Sequence, residues 1–176
     1  MNGVSNPEDL STFLPTIALF GGLEEGTLNR IIAMFQEHRL EAGQEVCKQG
    51  DTGREMFLVR SGEVVVTRET ETGRRIKMVR MGEGEFFGEM TLIDIQKRSA
   101  TVIVDKPALV YGLGNRDLYR LYQEDVPGYV MVLQNICREL SRRLRTTNKR
   151  ITEMAEEHDD DESTQIRPAV KGKPIG

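Results

Sequence analysis

The sequence predicts a mainly β fold with flanking helices: an antiparallel barrel or jelly roll, helices before it and one long helix after it. Three observations predict it. Glycines at 43, 50, 53, 62, 73, 82 and 84 punctuate short apolar runs, the rhythm of strands joined by tight turns rather than by crossover helices. Ahead of them, Leu28, Ile31, Ile32 and Phe35 repeat with the period of a helix lying on a core. Behind them, Leu133, Cys137, Leu140, Leu144, Thr147, Ile151 and Met154 alternate by four and three residues, which is a heptad seam.

In chain order, residues 1–36 read as a helical segment. Asn6 is a capping side chain followed by Pro7 and two acids, so a short helix runs to about Leu14, and Phe20-Gly21-Gly22-Leu23 is a turn with two apolar anchors. Residues 37–114 form the β region. Its strand candidates are residues 46–48, 56–60, 64–68, 76–80, 101–104 and 108–113, with hairpin connections at Ser61-Gly62-Glu63 and Thr70-Glu71-Thr72-Gly73. Residues 115–154 turn helical again: Asn115 caps a short helix through Tyr122, and Asp125 with Pro127 starts the long one. About thirty residues of helix extend about 45 Å, too long for one small barrel, so the seam from 133 to 154 predicts a homodimer. Residues 155–176 are acidic, carry Pro168 and Pro174, and read as a disordered tail.

The 176 residues carry a net charge of −4, which argues against a basic nucleic-acid surface, and the arginines and lysines of the last helix spread around it rather than forming one stripe. No apolar run approaches membrane-spanning length, and Met1 to Ser5 lack the features of a signal peptide, so a cytoplasmic protein without membrane contact is expected. Cys47 and Cys137 have no metal or redox spacing and read as reduced thiols. The two histidines, His38 before the roll and His158 among tail acids, are too few for a metal-dependent jelly-roll enzyme, and no nucleophile pair can be assembled. No catalytic residue, metal site or cofactor is therefore expected.

The chemistry concentrates between Phe86 and Thr101. Gly88 lets backbone approach a ligand, and a short helical turn over Glu89, Met90, Thr91, Leu92 and Ile93 directs N–H groups at an anion. Eight residues separate Glu89 from Arg98; Arg98 supplies a fork for phosphate and Ser99 a further donor. A carboxylate repels phosphate, so Glu89 suits a ribose hydroxyl. Phosphate plus ribose means nucleotide.

Phe-Gly-Glu, eight residues, then Arg-Ser-Ala-Thr resembles the phosphate-binding cassette of the cyclic nucleotide-binding domain family. The resemblance implies a β-roll in which Glu89 binds the ribose 2′-hydroxyl, Arg98 and Ser99 bind the cyclic phosphate, and the Gly88 to Thr91 backbone lines the site. Lys97 stands where many members carry proline. Arg142-Arg143-Leu144-Arg145-Thr146-Thr147-Asn148 further resembles the dimer helix of catabolite-activator-type regulators, which implies that Thr147 and Asn148 contact the base. Cyclic AMP is expected as the ligand through this second resemblance, with cyclic GMP open. Gln49-Gly50-Asp51 and Gly53 resemble family turns as well, but positive backbone φ explains these glycines without any ligand contact.

The expected protein is thus a stand-alone cyclic nucleotide sensor that relays binding through its helices to a downstream protein partner. Alternatives are a regulatory fragment of a catabolite-activator-type transcription factor and an interaction module that binds no ligand. Because residues 155–176 are acidic where a reading head needs basic helices, no DNA-binding domain is expected.

Overall fold

The computed structural model describes residues 6–94 and 96–158. They fall into two units, residues 1–137 and 138–176. The first contains the whole sheet. In chain order its elements are α1 (Pro7–Phe13), a 3-10 turn (Leu14–Thr16), α2 (Glu25–Met34), β1 (Gln36–Leu40), β2 (Glu45–Cys47), β3 (Glu55–Glu69), β4 (Arg75–Met81), β5 (Phe86–Phe87), α3 (Met90–Ile93), β6 (Thr101–Gly114) and α4 (Asn115–Glu124). The last helix, α5 (Val126–His158), begins in the first unit and makes up the described part of the second.

The sheet is antiparallel with strand order β1-β6-β3-β4; β2 also pairs with β6, and β5 with β3. Its core joins Phe57, Val59 and Val64 of β3 to Val102, Val104 and Val110 of β6, with Phe87 and Met81 packed among them. Apart from Met81 these are β-branched and aromatic side chains, which fit a pleated buried surface.

Two strand expectations are corrected. Ser61-Gly62-Glu63 is not a hairpin: β3 runs straight through it, and β6 likewise unites the two strands expected at 101–104 and 108–113. The two long strands stay paired from Glu55 opposite Gly114 to Thr67 opposite Thr101, and three register shifts between Val59 and Val64 absorb the glycine as bulges. The strand β1 carries too little apolar patterning, and the two-residue β5 is too short, to be legible in sequence. His38 therefore lies inside the sheet, opposite Val110, and not before it. The hairpin at Thr70 to Gly73 stands as expected, closed by the Thr70 N–H on the Arg74 carbonyl.

Local chemistry sets the helix starts. Asn6 Oδ1 accepts from the Asp9 N–H at 3.2 Å and caps α1. Asp9 in turn receives two 2.8 Å bonds from the Arg60 guanidinium, which ties α1 to β3. Asn115 is not a cap: it is the first residue of α4, and the Gly114 N–H is satisfied instead by Asp117 Oδ2 at 2.9 Å. The Asp117 carboxylate thus bonds back from the first turn to the residue before the helix, the acidic half of a capping box.

Asp125 precedes α5 and accepts from the Gly128 N–H at 3.0 Å and from the buried Thr27 hydroxyl of α2. The hydroxyl bond first, and then the backbone bond, hold its carboxyl below the ordinary carboxylate range. A depressed folded pKa means stability that is complete above the unfolded value and lost as pH falls through the folded one. Asp125→Ala is expected to cost about 1–2 kcal/mol in urea denaturation at neutral pH, and less in acid. Equal loss at neutral and acidic pH would show that packing, not charge, carries the effect. Nearby, buried Asn135 donates to the carbonyls of Leu19 and Gly21, fixing the start of α5 to the turn after α1.

Within the second unit, α5 runs four residues past its expected end at 154. The expected disordered tail falls mainly on residues 159–176, outside the described residues, and the side chain of His158 lies outside them too. Glu139 is buried and accepts from Arg142 at 2.7 Å and 2.9 Å and from Arg143 at 2.7 Å, bonds that lower its pKa. Among the described residues no helix is long and apolar enough to cross a membrane.

Candidate functional site

The β region delivers Gly88 from the end of β5, turns once through α3, and returns through Arg98 to β6. This return is held by a short ladder against the loop before β3. The Gly50 N–H donates to Arg98 O at 2.9 Å, the Arg98 N–H to Asp51 O at 2.7 Å, and the Gly53 N–H to Gln96 O at 3.1 Å. Thr52 and Lys97 form the bridge between them. The ladder uses the N–H groups of Gly50, Gly53 and Arg98 and not that of Lys97, so a proline at position 97 would break none of its hydrogen bonds.

Arg98 is half-buried, and its guanidinium is surrounded by groups that place it without neutralising it. Its Nη2 donates to the Glu55 carbonyl at 2.6 Å and its Nη1 reaches the Thr91 hydroxyl at 3.4 Å. The guanidinium carbon lies 5.6 Å from the centre of the buried Phe57 ring, within cation–π range. Among the described residues it has no carboxylate partner. A positive fork positioned by a carbonyl, a hydroxyl and a ring retains its full charge for an outside anion.

Two glycines make room for that fork. A Cβ on Gly88, whose φ is +75°, would stand 2.3 Å from Arg98 Nη1. A Cβ on Gly53 would stand 2.6 Å from Thr91 Oγ1 and 3.0 Å from Arg98 Nε. Positive φ does not explain Gly53, whose backbone is outside the left-handed region. It does explain Gly50, which has φ +90° and open space around it. Sequence reasoning thus assigned Gly53 to turn geometry alone and missed the Glu55 carbonyl and the Phe57 ring; close approach between chain segments leaves no local signature.

The structure brings Gly88, Glu89, Thr91 and Arg98 together in the first unit. Glu89 is 4% exposed and Thr91 6%, whereas Met90 and Ser99 are exposed. In α3 the Thr91 N–H donates to Gly88 O and the Asp94 N–H to Met90 O. Beside the site, burial pushes the Cys47 thiol up, opposed by the charge of Arg98. Thr147 and Asn148 belong to the second unit, where both are exposed and the Thr147 hydroxyl donates one turn back to Arg143 O at 2.9 Å. No group of three or more metal-ligating side chains occurs among the described residues.

Residues 37–125 match the model of the cyclic nucleotide-binding domain. The chain is 30% identical over 131 residues to a cyclic AMP receptor protein of Thermus thermophilus, covering 72% of this chain and 57% of that protein. It is 33% identical over 109 residues to a cAMP-dependent protein kinase regulatory subunit of Mucor circinelloides, covering 62% of this chain and 25% of that one. The chain therefore spans from a quarter to just over half of these relatives. A crystal structure of the Thermus thermophilus catabolite activator protein superposes with a TM-score of 0.69 at 30% identity, over 78% of this chain and 63% of that one. The antiparallel sheet, the long last helix and this match agree, and the chain belongs to the cyclic nucleotide-binding domain family.

Proposed function

We propose that this protein is a regulatory sensor that binds a 3′,5′-cyclic nucleotide, cyclic AMP in preference to cyclic GMP, and passes the binding event to a protein partner through its helices. One observation carries the reading: Arg98 stands between Gly53 and Gly88 with no carboxylate partner among the described residues. In this reading the cyclic phosphate is held by the guanidinium, the Ser99 hydroxyl and the backbone from Gly88 to Thr91. Glu89 takes the ribose hydroxyl and Met90 flanks the opening. Thr147 and Asn148 meet the base. The names of the Thermus and Mucor relatives support cyclic AMP.

Such a domain has no chemistry to perform on its ligand, and the protein acts by binding rather than by catalysis. Ligand draws the α3 turn and Arg98 together and favours one of two helix positions, a population shift. Titration calorimetry with cyclic AMP and cyclic GMP tests the reading. Binding of neither would leave the fold as an interaction module.

The output requires a dimer in this proposal. Leu144, Ile151 and Met154 of the seam are about 60% exposed, and Leu144 and Ile151 lie about a third of a turn around the helix from the residues that α5 buries, Val132, Asn135, Ile136 and Glu139. A second copy covers the seam. Leu144→Asp is expected to weaken the dimer about a hundredfold or more, because an unpaired buried carboxylate costs several kcal/mol. Sedimentation showing an unchanged dimer would reject the seam. A regulatory part of a catabolite-activator-type regulator is the second reading, favoured by the Thermus identity.

A further inference from the structure

The strand β4 has no role in the site, yet it is the least covered element of the sheet. It is an edge strand, and among the described residues only β3 pairs with it. Six of its seven residues are exposed, including Ile76 at 41%, Met78 at 56% and Val79 at 45%. The register shift between Val66 and Thr67 leaves Met78 without an opposite residue. A strand with one free edge is a template for another strand, and the cations and the bulge of β4 blunt that edge against strands of like charge, so the strand that fits it carries the opposite charge.

The charges around it have one sign in excess. Residues 68–80 carry Arg68, Arg74, Arg75, Lys77 and Arg80 against Glu69 and Glu71, in a chain whose net charge is −4. Arg80 is engaged by Glu63 and Asp105, but Arg68, Arg74, Arg75 and Lys77 form no ion pair among the described residues. Arg75 and Lys77 point to one face of the strand and Ile76 to the other, by the two-residue period of β structure.

We infer that β4 is a docking edge for an acidic, extended segment of a partner protein, which adds to the sheet as a further antiparallel or parallel strand. The free edge supplies main-chain donors and acceptors that only another polypeptide backbone can match. Acids at alternate positions of the partner face Arg75 and Lys77, and apolar residues between them cover Ile76 and Met78. Nucleic acid matches the cations alone and leaves the apolar side chains in water. An anionic bilayer matches cations and apolar groups and leaves the strand edge unused.

The test uses the whole chain and a fluorescent synthetic heptapeptide of alternating glutamate and valine, with anionic phosphatidylserine vesicles and single-stranded DNA as competing probes. The peptide is expected to bind with a dissociation constant of about 10 µM or better and to lose about tenfold in the R75E/K77E variant. In the unaltered protein, amide exchange over residues 75–80 is expected to slow about tenfold at saturating peptide. Preferred binding of vesicles or DNA overturns the inference, as does unchanged exchange. Protection that appears without peptide and grows with protein concentration assigns the edge to a second copy, and that result overturns it too.

Discussion

Arg98→Leu is expected to weaken cyclic-nucleotide binding by about 2–5 kcal/mol, roughly thirtyfold to several-thousandfold, the range for removing one partner of a buried charged hydrogen bond. The size follows from what surrounds the guanidinium. The groups that hold it, the Glu55 carbonyl, the Thr91 hydroxyl and the Phe57 ring, are uncharged, so none of them replaces the lost charge. Leucine also gives up the 2.6 Å bond to the Glu55 carbonyl, for a stability cost of about 1 kcal/mol. Calorimetry well below the melting temperature separates the two effects. Arg98→Lys retains the charge but not the planar fork, and its affinity is expected to fall between the wild type and the leucine variant. Wild-type affinity in Arg98→Leu would remove the phosphate from this site.

Gly62→Val is expected to destabilise the fold by about 3 kcal/mol or more, the combined effect of a strained backbone and an overpacked contact. Gly62 has φ +85°, and a Cβ there would stand 2.2 Å from Pro107 O and 2.6 Å from Ala108 Cα. Both obstacles are backbone atoms of β6, so no side-chain rotation relieves them. The bulges that keep β3 and β6 paired past this point depend on that close approach. Urea denaturation measures the loss, and a change below about 1 kcal/mol would mean that the two long strands adjust around the new side chain.

Gly62 also marks where sequence reading stops. A glycine between two apolar runs has the composition of a hairpin turn, and the same residue serves a bulge in which the chain continues straight. Which of the two forms is decided by the partner strand, here the run from Val104 to Lys106 that remains paired with Val64 and Glu63. Asn115 teaches the same lesson at smaller scale. A capping residue type stood beside the right place, but the helix begins one residue earlier than a cap at Asn115 would allow, so Gly114 takes the cap position and Asn115 lies inside α4. The strand β1 could not be read because Gln36, Glu37, His38 and Arg39 are polar in succession; only its pairing with β6 makes it a strand.

By itself the sequence determined the succession of leading helices, β region and long last helix, the short turn at Gly88, the acid at Glu89, the arginine nine positions beyond it and the heptad spacing along α5. Each of these rests on local chemistry or on a short period, and both are written in consecutive residues. Tertiary structure decided which glycines touch the site, what holds the Arg98 guanidinium and where the register of the long strands shifts. Those depend on distances between segments more than thirty residues apart, from Gly53 and Glu55 to Gly88 and Arg98, which close packing sets and no local pattern encodes.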